Sequence, residues 1–242
     1  MTRVLMYLRE VPMRAWATGA AMLTVAAVVG GSVWLVNNQP GVDPAHGLDL
    51  AKVHQVQSQF PPGFQVTQTD TKTITEDYAK EQQDPMEGAT FLPAECADQA
   101  NAAQSMPIGA TIEGLRGEGA DRFITVAAMR TPDALPPVPD MPQCDAVVFV
   151  QPGYIDGLTT VVGAPSVGDG IATQGVRVSA SVTDGDGQRF DTVQYAYTAT
   201  LDDHHIVAVT ISGTPPPGSH RDIDPTPAQQ LFTAAVAVVR AT

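Results

Sequence analysis

The chain has 242 residues, 43 % of them hydrophobic, with 13 lysines and arginines against 26 aspartates and glutamates, a formal net charge of −13. This excess of acid disfavours nucleic acid as a partner, because a nucleic-acid surface needs a basic stripe. It equally disfavours adhesion to anionic lipid headgroups.

The first feature in chain order is apolar. From Met13 to Gln39 the sequence reads MRAWATGAAMLTVAAVVGGSVWLVNNQ, with no charged residue between Arg14 and Asn37. A helix needs about 20 apolar residues to cross a hydrocarbon core, whereas the apolar region of a cleaved signal is about 7–15 residues long. No Ala-x-Ala step follows, and Cys96 is too far downstream to be a lipid-modified mature N-terminus. Trp16 and Trp34 stand near the two ends, where indoles favour the membrane interface. The expectation is a retained transmembrane helix over residues 15–36. Arg3, Arg9 and Arg14 precede it against the single acid Glu10, and Asp43 and Asp49 follow it before Lys52. The positive-inside rule then leaves residues 1–14 in the cytoplasm and exports the rest. Residues 37–47, NNQPGVDPAHG, read as a linker, and 48–242 as one extracytoplasmic domain. Setting aside the three N-terminal arginines and Glu10, the outer part keeps 10 bases and 25 acids, a net −15. Such a domain stays soluble and suits basic protein surfaces or cations.

In LDLAKVHQVQSQF, Leu50, Val53, Val56 and Phe60 recur at helical spacing, and Pro61-Pro62-Gly63 ends the run. Phe64-Gln65-Val66 alternates as a strand. TITEDYAKEQQ offers a threonine cap with acids in the first turn, which predicts a short helix. LPAECADQANAAQ suggests another. ATIEGLRGEGADRFITVAAMR predicts two strands around a glycine-rich turn, and the five prolines of TPDALPPVPDMPQC mark a surface crossing. Val147 to Val150 read as a buried strand. In QGVRVSASVT, Val176, Val178, Ala180 and Val182 share one face. In TVQYAYTATL, Val193, Tyr195, Tyr197, Ala199 and Leu201 share one, and HIVAVTI is a further strand. DGDGQ and LDDHH punctuate these runs as hairpin turns. The C-terminal helix has a start signal in Thr226, Pro227 and Gln229, and an apolar face of Leu231, Phe232, Ala235, Val236 and Val239. Together these elements predict an α+β fold, an antiparallel sheet with helices packed on one face.

Cys96 and Cys144 fall in the exported part, where an even pair reads as a disulfide. A metal pair would need further ligands, and His54 and His204 are the nearest histidines in sequence; a catalytic thiol is the other alternative. The DGDG run of Asp184–Gly187 begins like a calcium loop, but Gln188 and Tyr195 stand where further oxygen ligands belong. His204 and His205, with Asp202 and Asp203, suggest at most a weak cation site at a turn. Adjacent strand residues point to opposite faces, so no metal and no cofactor is expected. Tyr195 and Tyr197 share a strand face and are the candidate lining of an apolar pocket; packing in the core is the competing reading. Nucleophile-elbow, zinc-protease, P-loop and dinucleotide motifs are missing from the sequence. The expected protein is therefore not an enzyme.

The series QFPPGFQV, LPAEC, CDAVVFV and YAYTATLDD, ahead of a valine-rich strand, resembles a group of uncharacterised mycobacterial envelope domains over roughly residues 48–240. That group includes exported lipoproteins and membrane-anchored proteins, and is distantly similar to the extracellular sensor domain of a mycobacterial serine/threonine kinase. The resemblance implies an extracytoplasmic α+β domain with one disulfide. It carries no catalytic residues, and this chain lacks both a lipobox and a kinase domain. Ala17, Gly19, Ala20, Ala21, Ala26, Ala27, Gly30 and Gly31 would let the span pack closely on other helices. The functional expectation is an accessory subunit of an integral membrane complex for envelope lipid transport. The alternative is a lipid- or glycan-binding or sensor domain.

Overall fold

The computed structural model describes residues 48–81, 88–97, 107–135, 141–213 and 222–241. The expected membrane helix over 15–36, the cytoplasmic residues 1–14 and the linker 37–47 lie outside the described residues. Among the described residues no helix is long and apolar enough to cross a membrane.

The strands are β1 (Gln65–Thr73), β2 (Thr90–Leu92), β3 (Thr111–Glu118), β4 (Arg122–Arg130), β5 (Ala146–Gln151), β6 (Ile155–Val162), β7 (Ala172–Thr183), β8 (Arg189–Thr200) and β9 (His205–Gly213). They form one nine-stranded sheet in the order β1-β3-β4-β9-β8-β7-β6-β5-β2. All of its pairings are antiparallel. β5 to β9 are a meander, which follows from short turns between consecutive strands. At the Asp184 turn, Asp184 Oδ1 accepts from the backbone N–H groups of Asp186 (3.0 Å) and Gln188 (2.8 Å), and Gly187 takes φ +78°. The DGDG run is thus a hairpin turn whose aspartate is used by its own backbone.

Three longer helical elements accompany the sheet: a 3₁₀ helix over Leu50–Gln59, α1 (Glu76–Glu81) and α2 (Thr226–Arg240). In the 3₁₀ helix the buried residues Leu50, Val53 and Val56 recur every third position, which is one 3₁₀ turn. Asp49 starts it by accepting from the Ala51 N–H at 3.1 Å. Thr75 caps α1 as expected, its Oγ1 accepting from the Tyr78 N–H at 3.2 Å. The start of α2 differs from the sequence reading. Thr226 is already helical and makes no side-chain cap, and its N–H is taken instead by Asp224 Oδ1 at 3.0 Å. Gln229, expected in a capping box, donates from Nε2 to the Tyr197 hydroxyl at 3.0 Å.

α2 buries Leu231, Phe232, Ala235, Val236 and Val239, the face the sequence assigns to it, against Val207, Val209 and Ile211 of β9 and the 3₁₀ helix. A fully buried side chain of this size contributes about 1.5–3 kcal/mol. This core spans β3, β4, β9 and β8 on one face of the sheet. At β7 the buried face changes over. Tyr195 and Tyr197 face α2, and their partners across the ladder are Arg177 and Gly175. The valine face of β7 therefore points the other way. Ala180 and Val182 join Phe91, Val147, Phe149, Ile155, Cys96 and Cys144 in a second core on the opposite face.

Helices are not confined to one face either. Tyr78 and Ala79 of α1 pack with Met129 and Ile206, which alternate with the α2-facing Ala128 and Val207. Val147 to Val150 were expected to be buried throughout. Only Val147 and Phe149 are enclosed, and Val148 is exposed, because the α2-side face of β5 has no cover from α2.

Candidate functional site

Tyr197 is 1 % exposed; its ring lies 6.0 Å from that of Phe232, and burial pushes its hydroxyl pKa up. It is part of the core beneath α2. Tyr195 stands at the margin of that core, where its hydroxyl donates to Asp222 Oδ2 at 2.8 Å. Arg177 Nε donates to the same oxygen at 3.1 Å, and its guanidinium lies 5.9 Å from the Tyr195 ring. Asp222 also accepts from the Ile223 N–H at 3.0 Å. Burial alone would raise the Asp222 carboxyl, but Tyr195 and Arg177 hold it below its usual value. The three residues close the boundary between the covered and uncovered halves of the α2-side face.

At the β8–β9 turn, Asp202 Oδ1 accepts from the backbone N–H groups of His204 and His205, both at 2.8 Å, and lies 2.8 Å from His205 Nδ1. His204 turns elsewhere, its Nδ1 lying 3.1 Å from the Thr131 carbonyl oxygen. The two histidines do not converge. Among the described residues no group of three or more His, Cys, Asp or Glu side chains is placed to hold a metal ion. Cys96 and Cys144 form a disulfide, with their Cα atoms 5.7 Å apart, inside the second core.

A set of polar residues that sequence reading missed lies on the face turned away from α2. Rows of cross-strand neighbours run over β4, β9, β8 and β7. Ala127, Ala208, Thr198 and Gln174 form one row. Thr125, Thr210, Ala196 and Val176 form the next, and Phe123, Ser212, Gln194 and Val178 the third. Thr210 is 0 % exposed, Gln194 and Ser212 5 %, and Gln174 6 %. Thr210 Oγ1, Ser212 Oγ, Gln194 Nε2 and Gln174 Oε1 are buried without a hydrogen-bond partner. Gln194 and Ser212 are directly opposed, with about 5 Å between Cβ atoms for such a pair, yet those two atoms do not bond each other. Each orphaned group costs about 1–3 kcal/mol. Four such atoms lie together on one face of three adjacent strands, where buried polar atoms are generally paired with protein or ordered water. Over β4, β9, β8 and β7 the rows contain no ionisable side chain; on β3 they continue into Arg116, opposite Thr125, and Glu118, opposite Phe123, which pair with each other at 3.0 Å. Apolar clusters flank them, Met129, Ile206 and Leu135 on one side and Phe149, Ile155 and Val182 on the other. The signal in the sequence was Thr210 and Ser212 alternating with Val209 and Ile211 on a central strand, where both faces are covered.

On the α2-side face, Leu92, Val148 and Leu158 are neighbours across β2, β5 and β6, exposed by 57 %, 40 % and 37 %. This apolar strip lies next to β2, which ends the sheet.

The described residues define a disulfide-closed domain built on one nine-stranded antiparallel sheet. The chain belongs to the family described as a domain of unknown function, DUF5642, whose model matches residues 49–240. It is also similar to an uncharacterised protein of Mycobacterium smegmatis, the Rv0999 ortholog, whose structure was solved by X-ray methods. The identity is 29 %, the TM-score is 0.64, and the match covers 80 % of this chain and 97 % of the other. No curated protein matches the chain.

Proposed function

We propose that the chain is a non-enzymatic, single-pass membrane protein whose extracytoplasmic domain binds a lipid or glycan of the cell envelope. In this reading the N-terminus is cytoplasmic and the domain serves an integral membrane complex for lipid transport as an accessory subunit. The observation that carries the binding role is the set of four buried, unpartnered polar atoms on Gln174, Gln194, Thr210 and Ser212. A ligand that satisfied them would recover hydrogen bonds the fold itself leaves unmade. The non-enzymatic part rests on chemistry. The buried Asp202–His205 pair is already committed to its own turn, and no catalytic motif occurs in the sequence.

The accessory-subunit reading has its own support. Leu92, Val148 and Leu158 present an apolar strip at β2, the terminal strand of the sheet among the described residues, and the net −15 of the outer part suits a basic partner surface. The test is purification of the full-length protein from native membranes in mild detergent, with proteins and lipids analysed together. A stoichiometric multi-span transporter supports the subunit role. Recovery of the protein alone, with neither transporter nor enriched lipid, sinks the proposal. Exchange of residues 15–36 for an unrelated span then separates docking through the span from docking through the domain.

A further inference from the structure

The geometry points to an uncharged, multiply hydroxylated group, a sugar, as the ligand of the Gln174–Gln194–Thr210–Ser212 face; this rests on the binding role proposed above. The argument is one of matching chemistry. Each of the four atoms on this face belongs to a neutral side chain. The charged side chains that adjoin the rows on β3, Arg116 and Glu118, are paired with each other at 3.0 Å, so an anionic or cationic headgroup among the four would lack a free countercharge, at a cost far above that of a neutral group. The set offers both donors and acceptors: an amide N–H on Gln194, an amide oxygen on Gln174, and two hydroxyls that can do either. Sugar hydroxyls have the same double capacity, so each can meet any of the four. Ala196 and Ala208 lie between these side chains on the same face and keep the floor low. Phe123, directly across from Ser212 and only partly buried, bounds the face at one end, with the Arg116 guanidinium 5.3 Å from its ring centroid.

The source of the sugar is either a soluble saccharide or the headgroup of a glycolipid. The flanking apolar clusters around Ile206 and Phe149 give an alkyl chain somewhere to lie in the second case. With Gln174, Gln194, Thr210 and Ser212 each less than a tenth exposed, entry requires this face to open, so association falls below the ordinary 10⁵ M⁻¹s⁻¹ or so for preformed sites.

The experiment uses the full-length protein in nanodiscs, titrated with maltose, dodecyl maltoside and dodecylphosphocholine and followed by calorimetry. Thr210→Val and Ser212→Ala are compared with wild type, and each fold is checked by circular dichroism. Binding of maltose or dodecyl maltoside, weakened about tenfold by either substitution, supports the inference. Binding of maltose itself indicates a soluble saccharide, and binding of the glycoside alone indicates a glycolipid. Binding of dodecylphosphocholine alone overturns the sugar assignment while leaving a lipid-binding role intact. Absence of binding by all three, with the substitutions raising the melting temperature, overturns both and assigns the four atoms to internal water. Thr210→Val and Ser212→Ala remove different orphans on the same strand, so failure of one variant to fold leaves the other to decide.

Discussion

The Asp202 carboxylate holds His205 at 2.8 Å through Oδ1 and 2.9 Å through Oδ2, and the two side chains are only 5 % and 9 % exposed. The same carboxylate accepts the backbone N–H groups of His204 and His205. One side chain thus ties the turn that sets β8 against β9. Burial by itself would raise the Asp202 carboxyl, but the His205 ring and the two backbone donors outweigh it and hold the pKa below the usual 3.8. A depressed carboxylate stabilises the fold fully above the ordinary aspartate value. It loses that contribution as pH falls through its lowered native value. Urea midpoints taken from neutral pH down to about pH 2.5 should therefore fall steeply only below pH 4, and less steeply in Asp202→Asn. Asp202→Ala should cost about 2–3 kcal/mol at neutral pH, because it strands three donors near a sealed site. A loss indistinguishable from that of an exposed aspartate would remove the turn from this role.

The disulfide lies in the second core, away from α2. Its cysteines are 48 residues apart in sequence, for which the chain-entropy model gives about 4 kcal/mol. Cys96→Ala with Cys144→Ala should lower stability by that order in chemical denaturation. The loss should be uneven. Amides of β2 and β5, which flank Cys96 and Cys144, should lose hydrogen-exchange protection before those of β9, which rest on α2. Uniform loss across the sheet would mean that the two cores unfold as one.

Tyr197 and Gln229 give a direct comparison of core and pocket. Tyr197→Phe leaves the ring against Phe232 and deletes only the hydroxyl that accepts from Gln229. The expected cost is about 1 kcal/mol, with no change in any lipid or sugar retained on purification. A change in retained ligand at unaltered stability would instead put Tyr195 and Tyr197 back in a binding role.

Much of the architecture was legible because it is written in period-two alternation. β3, β4, β7, β8 and β9 all show it, and the α2 face was readable as a 3.6-residue stripe. Three things were not. β6 was hidden by Gly157, Thr159 and Thr160, which dilute its apolar signal. β2 is three residues long and takes its structure from pairing with β5 rather than from its own sequence. The third is the changeover of buried face between β8 and β7. Alternation says which residues share a side, but register decides which side meets a helix, and register is a property of two strands. The polar face escaped for the same reason. Thr210 and Ser212 look like solvent-facing residues until β9 is known to lie at the centre of the sheet. The Cys96–Cys144 pair was legible, since two cysteines have one possible bridge within the chain.

Gly157 is the position where the second core is tightest. It sits mid-strand in β6, opposite Phe149 on one side and Ala180 on the other. A Cβ there would come within 2.5 Å of the Phe149 ring and 2.6 Å of the Ser179 carbonyl oxygen. The contact with backbone cannot be relieved by a rotamer change, so the strands themselves must part. Gly157→Ala should destabilise by about 3 kcal/mol, the upper end for overpacking. Because Phe149 lines the cluster beside the polar rows, the same substitution should also weaken dodecyl maltoside more than maltose. Gly185→Ala, at an open turn position with nothing within 4 Å of its Cβ, is the control expected to leave both stability and binding unchanged. Equal stability of Gly157→Ala and Gly185→Ala would mean that β6 does not pack at this register.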